Sequence, residues 1–324
     1  MSGTARTGAL VVVAALVAVL AGTAARPEQS IVTGATASAT PTAESSPTPS
    51  VPRASTPAVA PSSVPLPTVR RTSPTVRRTT SGLANWEANA QRDALVLNRI
   101  YAAGKVPSVS CPLPTARLGS KAAVVRYVNA ILACLDRAWA PVMERASLYF
   151  QPAEFHPFKD KVDTPCGREE EHVGFYCSTG YGIYIDWSAY TVPRRTQLSA
   201  EVALIYVTAH EYGHHLQQLA GIMQYYVERY YDKKGDARLQ DNRRMELQAT
   251  CFASLFFKAN QRTLRLSGTR YRQLTLGEGG DEDFPDTPRD HGSRKSMRIW
   301  ELGAFESGDL GSCNTWAAPT GKVT

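Results

Sequence analysis

The chain has 324 residues, 43% of them hydrophobic, with 36 Lys and Arg against 29 Asp and Glu and a formal charge of +7. That excess suggests a nucleic-acid partner until its distribution is read: residues 1–82 hold seven Arg against two Glu, so +5 sits there and +2 remains beyond. The remainder is nearly neutral and carries no nucleic-acid motif, which excludes nucleic acid as the target.

Residues 1–25 contain Arg6, an apolar run from Ala9 to Leu20, and small residues from Ala21 to Ala25. This is the layout of a secretory signal peptide, cleaved near Ala25 or kept as an anchor. Residues 26–82 form a stalk. Between Pro27 and Thr80 stand ten Pro and twenty Ser or Thr, and no aromatic residue precedes Trp86. So little apolar area cannot offset ordering entropy, and an extended, disordered segment is expected. Arg70-Arg71 and Arg77-Arg78 could touch anionic envelope polymers. The expected location is secreted or extracytoplasmic, with or without an N-terminal membrane anchor.

Residues 83–324 suffice for one domain of α+β class, mostly helical with a small antiparallel sheet. Leu83, Trp86, Ala90, Leu97 and Tyr101 predict an amphipathic helix over 83–103. Ser120 caps a second helix with apolar face Val124, Val128, Ile131, Leu135 and Trp139, which Pro141 should kink or end. Residues 175–177 and 182–187 read as a hairpin around Gly180. Ser199 caps a helix over 200–220, closed by Gly221. Tyr225, Tyr226, Tyr230 and Tyr231 read as a buried aromatic face rather than a stacking platform. A further helix covers 241–259, followed by basic residues from Lys258 to Arg272 that read as solvated surface. The acidic loop over 281–286 lacks the alternating ligands and fixed Gly of a calcium loop.

All six Cys lie between 111 and 313, an even count in the ordered part of an exported chain, which implies three disulfides. Locality favours Cys111–Cys134 and Cys166–Cys177, leaving Cys251–Cys313. None stands at metal-ligand spacing.

His210-Glu211-Tyr212-Gly213-His214 carries the chemistry. On a helix, positions i and i+4 share a face, so two imidazoles can reach one zinc ion while the intervening Glu faces the adjacent water. A catalytic zinc site commonly has three protein ligands and one open position. A third His six residues beyond the motif would fall at position 220, where Ala220 stands. Glu246, on the later helix with small residues Ala249 and Ala253 beside it, is the best third candidate; otherwise it is a surface Glu. His215 is expected to pack behind the motif helix, because its neighbouring position points elsewhere. His156 and His172 fall in expected loops and receive no role.

The blocks His210 to Gln217, Glu246-Leu247-Gln248-Ala249 with Cys251-Phe252-Ala253, and His291-Gly292-Ser293 with Arg298, Trp300, Gly303, Gly308-Asp309 and Cys313 resemble the bacterial neutral zinc metallopeptidase family, within the gluzincins. Phe175-Tyr176-Cys177 and Tyr184-Ile185-Asp186 extend the likeness, which covers roughly residues 105–316. The resemblance implies a zincin-like fold, one Zn2+ per chain held by His210, His214 and Glu246, and Glu211 as catalytic base. The chain departs from the gluzincin pattern at Thr250, where an Asp usually accepts a hydrogen bond from a ligand His. A hydroxyl brings no charge, so imidazole orientation and basicity should weaken unless Asp186 or Asp241 compensates.

The expected chemistry is peptide-bond hydrolysis by a zinc-bound water that Glu211 deprotonates, with His291 as oxyanion donor. A peptide or protein substrate would pair with an edge strand over 184–187 beside the motif helix. Two other readings stand beside it: a catalytically weak envelope-binding protein that keeps zinc as a scaffold, and an amidase acting on cell-wall material. Subsite preference and oligomeric state have no signature in the sequence.

Overall fold

The computed structural model describes residues 80–276 and 289–324, apart from Glu171 and Pro193. The expected leader, almost all of the stalk and the acidic loop lie outside the described residues. Seven helices and five short strands follow in the order α1 (Thr80–Leu95), α2 (Lys121–Arg145), β1 (Glu154–Phe158), β2 (Val162–Thr164), β3 (Gly167–Glu169), β4 (Gly174–Cys177), β5 (Gly182–Asp186), α3 (Gln197–Leu219), α4 (Ile222–Asp232), α5 (Asp236–Ala259), α6 (Gly268–Leu276) and α7 (Arg294–Ser307). The class is α+β, mostly helical. Among the described residues no helix is long and apolar enough to cross a membrane.

α3 is the axis of the molecule. It packs against α2 on one side, α5 on another and β4 on a third. Every residue from Leu204 to Gln217 is buried, which is the pattern of a helix enclosed all round rather than of an amphipathic surface helix. Six of those residues are polar: Thr208, His210, Glu211, His214, His215 and Gln217 are each 3% exposed or less. Polar groups are costly to bury unless they are paired, so their concentration on one core helix marks a site.

The helix begins earlier than expected. Thr196, not Ser199, is its cap, its hydroxyl accepting from the Ser199 N–H, and the run ends where Gly221 takes a left-handed φ of 75°. α2 starts as predicted, with Ser120 accepting from the Ala123 N–H, yet passes through Pro141 to Arg145. Val142 and Met143 are fully buried, and that packing outweighs a penalty of about 3 kcal/mol for a proline inside a helix. The helix expected over 83–103 stops at Leu95. Asn98 then caps a short 3-10 turn, accepting from the Ile100 N–H and donating to the carbonyls of Ala94 and Ala220. On α4, Tyr226 is buried with its hydroxyl on Asn242, Tyr225 and Tyr230 are half-buried, and Tyr231 faces solvent.

The sheet corrects another expectation. Its order is β1-β5-β4, with β4 antiparallel and β1 parallel to β5. The hairpin is as predicted, with Phe175 opposite Tyr184, but β5 is the central strand and offers no free edge to a peptide. β1, which contains His156, was expected to be loop; Pro157 is tolerated there because β1 pairs on one side only. Tyr176, Ile183 and Ile185 face the main core. Phe158, Phe175, Cys177 and Tyr184 form a smaller core on the other face, latched by the Cys166–Cys177 disulfide.

Cys251–Cys313 is the second bridge, tying α5 to the C-terminal segment. The third expected bridge is not formed. Cys111 and Cys134 are buried free thiols, and Cys134 Sγ lies 3.8 Å from the Ser110 carbonyl, which Arg137 also holds at 2.7 Å.

α3 and α5 bring backbone against backbone at Gly213. A Cβ there would lie 2.7 Å from the Ala249 carbonyl oxygen and 2.8 Å from its Cα. Helix propensity alone would make Gly213→Ala stabilising by about 1 kcal/mol. Overpacking against fixed backbone costs about 1–3 kcal/mol and should reverse the sign. Urea unfolding of Gly213→Ala is therefore expected to show lower stability than wild type; a gain would mean the helices are not held at this distance.

Candidate metal centre

The close approach at Gly213 and Ala249 sets Glu246, one turn earlier on α5, against the Nε2 atoms of two buried imidazoles on α3. His210 and His214 share a face, their rings edge-to-face with centroids 4.9 Å apart. His210 Nε2 stands 3.2 Å from His214 Nε2 and 3.2 Å from Glu246 Oε2, and His214 Nε2 stands 3.3 Å from the same oxygen. Among the described residues these three form the one group of His, Cys, Asp and Glu able to hold a metal. The donor set fits zinc in number and kind. It also fits in size: a tetrahedral ion bonded at about 2.0–2.1 Å separates its donor atoms by about 3.3 Å. Glu246 stands where the expected third ligand would stand, and at 6% exposed it is not a surface Glu.

Burial and charge oppose each other across this triangle. Burial pushes the His210 imidazole down to about 4, against the pull of the Glu246 carboxylate. At His214 burial also disfavours the charged form, but Glu246 and then Glu211 outweigh it and raise the pKa. Glu246 is held well below the usual carboxylate range because the two imidazoles overcome its burial.

Glu211 is fully buried, and among the described residues neither carboxylate oxygen has a hydrogen-bond partner. Burial lifts its pKa to about 8. β4 passes directly over it: a Cβ on Gly174 would come within 3.9 Å of Glu211 Oε1 and 2.6 Å of the Val207 side chain, so only glycine fits. The Asp186 N–H to Val173 carbonyl bond sets the phase of this strand pair. Gly174 and Tyr176 therefore turn their own N–H and C=O away from β5.

Thr250 lies where the sequence placed it, Oγ1 3.2 Å from His210 Nδ1, with the Tyr206 hydroxyl 3.3 Å behind. The bond survives without the charge of an Asp. The two carboxylates expected to compensate are engaged elsewhere: Asp186 accepts from Ser188 and from the Asp160 N–H, and Asp241 pairs with Arg229 and Lys233. His291 also reaches the site, Nε2 3.9 Å from Glu246 Oε2, with Nδ1 2.8 Å from Asp290 Oδ1. Gly292, at φ 105°, lets that segment turn against Leu247 of α5. His215 points away, between the Tyr176 hydroxyl and the Gln151 carbonyl, and burial pushes it down to about 4. The six cysteines take no part in the triangle.

Sequence reasoning missed two partners. Gln217 Oε1 is 2.8 Å from His214 Nδ1, and Asp290 orients His291. The available signals were positional: Gln217 is i+3 from an imidazole of the motif, on a helix rich in buried polar residues, and Asp290 immediately precedes a His singled out by the sequence.

The family model described as "Putative neutral zinc metallopeptidase" matches residues 109–270, half of the chain. The uncharacterized protein YpfJ of Escherichia coli (strain K12) is 29% identical over 207 residues, 59% of this chain and 71% of that protein. The uncharacterized protein Rv2575 of Mycobacterium tuberculosis (strain H37Rv) is 27% identical over 213 residues, 57% of this chain and 68% of its own length. No solved structure matches.

Replacing Thr250 by Val leaves the His210 Nδ1 proton without its acceptor. Loss of such a partner should weaken zinc binding about 10–100-fold, and Thr250→Asp should strengthen it. Competition with a chromophoric chelator measures both; equal affinities in all three proteins would remove Thr250 from the site.

Proposed function

This chain belongs to the neutral zinc metallopeptidase family, and from that premise we propose that it is an exported zinc-dependent endopeptidase with one zinc ion per chain and a zincin-like catalytic domain. The observation that carries the reading is the donor triangle of 3.2, 3.2 and 3.3 Å beside a buried carboxylate that has no hydrogen-bond partner among the described residues.

A zinc ion in the triangle supplies Lewis acidity toward the scissile carbonyl. Every other task falls to the chain. Glu211, with both oxygens uncommitted among the described residues, takes the proton of the attacking water and returns it to the leaving amine nitrogen. His291 in its doubly protonated form, with Nδ1–H held by Asp290, donates from Nε2 to the oxygen that gains negative charge as the carbonyl carbon becomes tetrahedral. β4 aligns an extended peptide, a role that passes to it from β5, because its outward backbone groups at Gly174 adjoin Glu211.

Glu211→Gln should lower cleavage of a peptide library about 10²–10⁴-fold while zinc content stays at the wild-type level. In the same assay, N-methylation of the substrate backbone near the scissile bond should raise KM. Cleavage by the variant at the wild-type rate would end the proposal. Zinc-loaded wild type that cuts no peptide would leave the binding-protein reading, and cleavage of wall fragments alone would favour the amidase.

Export is supported by the apolar run from Ala9 to Leu20 and by the cysteine pattern. In an oxidising compartment the adjacent thiols of Cys111 and Cys134 should close into a third bridge. Protein recovered from its native location, denatured and alkylated without reductant, is expected to label at no cysteine. Two labels, on Cys111 and Cys134, would place it in a reducing compartment.

A further inference from the structure

Three fully buried polar side chains, His214, Gln217 and Gln248, form a file leading away from the metal triangle. His214 Nδ1 lies 2.8 Å from Gln217 Oε1. Gln217 Nε2 donates to the Met245 carbonyl at 2.8 Å and to Gln248 Oε1 at 3.0 Å. Gln248 Nε2 donates to the Cys313 carbonyl at 3.0 Å and to the Tyr101 hydroxyl at 2.8 Å. Gln217 and Gln248 are both fully buried.

The direction of this file is fixed by chemistry. A backbone carbonyl can only accept, so the Cys313 oxygen requires the amide nitrogen of Gln248. That leaves Gln248 Oε1 facing Gln217, which with the Met245 carbonyl presents two acceptors to one amide group. Gln217 must therefore turn its nitrogen to them and its oxygen to His214. An oxygen acceptor at His214 Nδ1 demands a proton there, and the lone pair of the neutral imidazole is then on Nε2, the atom in the triangle.

We infer that Gln217 is a positioning residue that sets the tautomer and ring orientation of His214, and that its own orientation is dictated by Met245 and Gln248. The anchor at the far end is the Cys313 carbonyl, pinned to α5 by the Cys251–Cys313 bridge. The metal triangle is thereby wired to a disulfide on the C-terminal side of the domain. Thr250 does the corresponding work for His210, so the two ligand imidazoles have separate supports, one a hydroxyl and one an amide file. This rests on the triangle being a zinc site, but it concerns which nitrogen carries a proton before any metal arrives.

The test has two readouts on the full chain. In the metal-free wild-type protein, long-range nitrogen–proton correlation spectra should show His214 protonated at Nδ1; in Gln217→Met both tautomers should appear. Zinc affinity by chelator competition should fall about 10–100-fold in Gln217→Met, and by a smaller factor in Gln248→Met, where the Met245 carbonyl still holds the Gln217 amide. The visible spectrum of the cobalt-substituted protein should shift in Gln217→Met, which a purely structural role would not produce. A wild-type His214 protonated at Nε2 and not at Nδ1 overturns the inference even if neither variant folds. So does a folded Gln217→Met with unchanged zinc affinity. Failure to cleave peptides would sink the proposed function and leave this inference standing; absence of zinc binding by wild type would sink both.

Discussion

The contact between Gly213 and Ala249 is the constraint on which the remaining structure depends. Two helices that carry ordinary side chains at their crossing pack with axes about 8–10 Å apart. Here one helix offers no side chain at the crossing and the other offers only a methyl group, so backbone meets backbone. One turn from that point, the Glu246 carboxylate meets His210 and His214, and the separations among the three donor atoms are those of a small tetrahedral ion rather than of a loose polar cluster. Moving the helices apart by the width of a single methyl would open the triangle.

That geometry has an energetic consequence. α3 holds six polar residues in the core, and most are compensated: His210 by Thr250 and Glu246, His214 by Gln217 and Glu246, His215 by Tyr176 and Gln151. Among the described residues two are not: the Thr208 hydroxyl has no partner, and Glu211 is fully enclosed with both acceptor oxygens unmatched. A buried acceptor without a partner costs about 1–3 kcal/mol, more if charged. A core residue chosen for stability would be apolar at that position. A carboxylate held uncommitted beside a cation site is what proton transfer to and from a substrate requires, and the surrounding bonds of the helix carry the loss.

Local chemistry was legible in the sequence and long-range pairing was less so. The spacing of His210, Glu211 and His214 is read from one helical turn, and Ser120 announced the start of α2 by its own side chain. Glu246 is 32 residues beyond His214, and its position beside the imidazoles was readable only because Ala249 marked a face able to approach another helix. β5 was taken for an edge because its other neighbour, β1, contains Pro157 and His156 and shows no alternation; a parallel pairing across more than twenty residues leaves no local trace. Gln217 was hidden for a different reason. An amide near the end of a helix looks like solvated surface, and only three-dimensional enclosure shows that both of its ends are committed. Pairing Cys111 with Cys134 by proximity brought the right partners together, while their thiols remain unjoined in the structure.

The central claim is that His210, His214 and Glu246 grip one zinc ion. Its most direct test is elemental analysis of the folded, exhaustively dialysed full chain beside Glu246→Ala. The account predicts about one zinc per wild-type chain, as a closed set of three protein donors requires, and little in the variant. Zinc-free wild type, or a variant that retains the metal as well as wild type does, would contradict it.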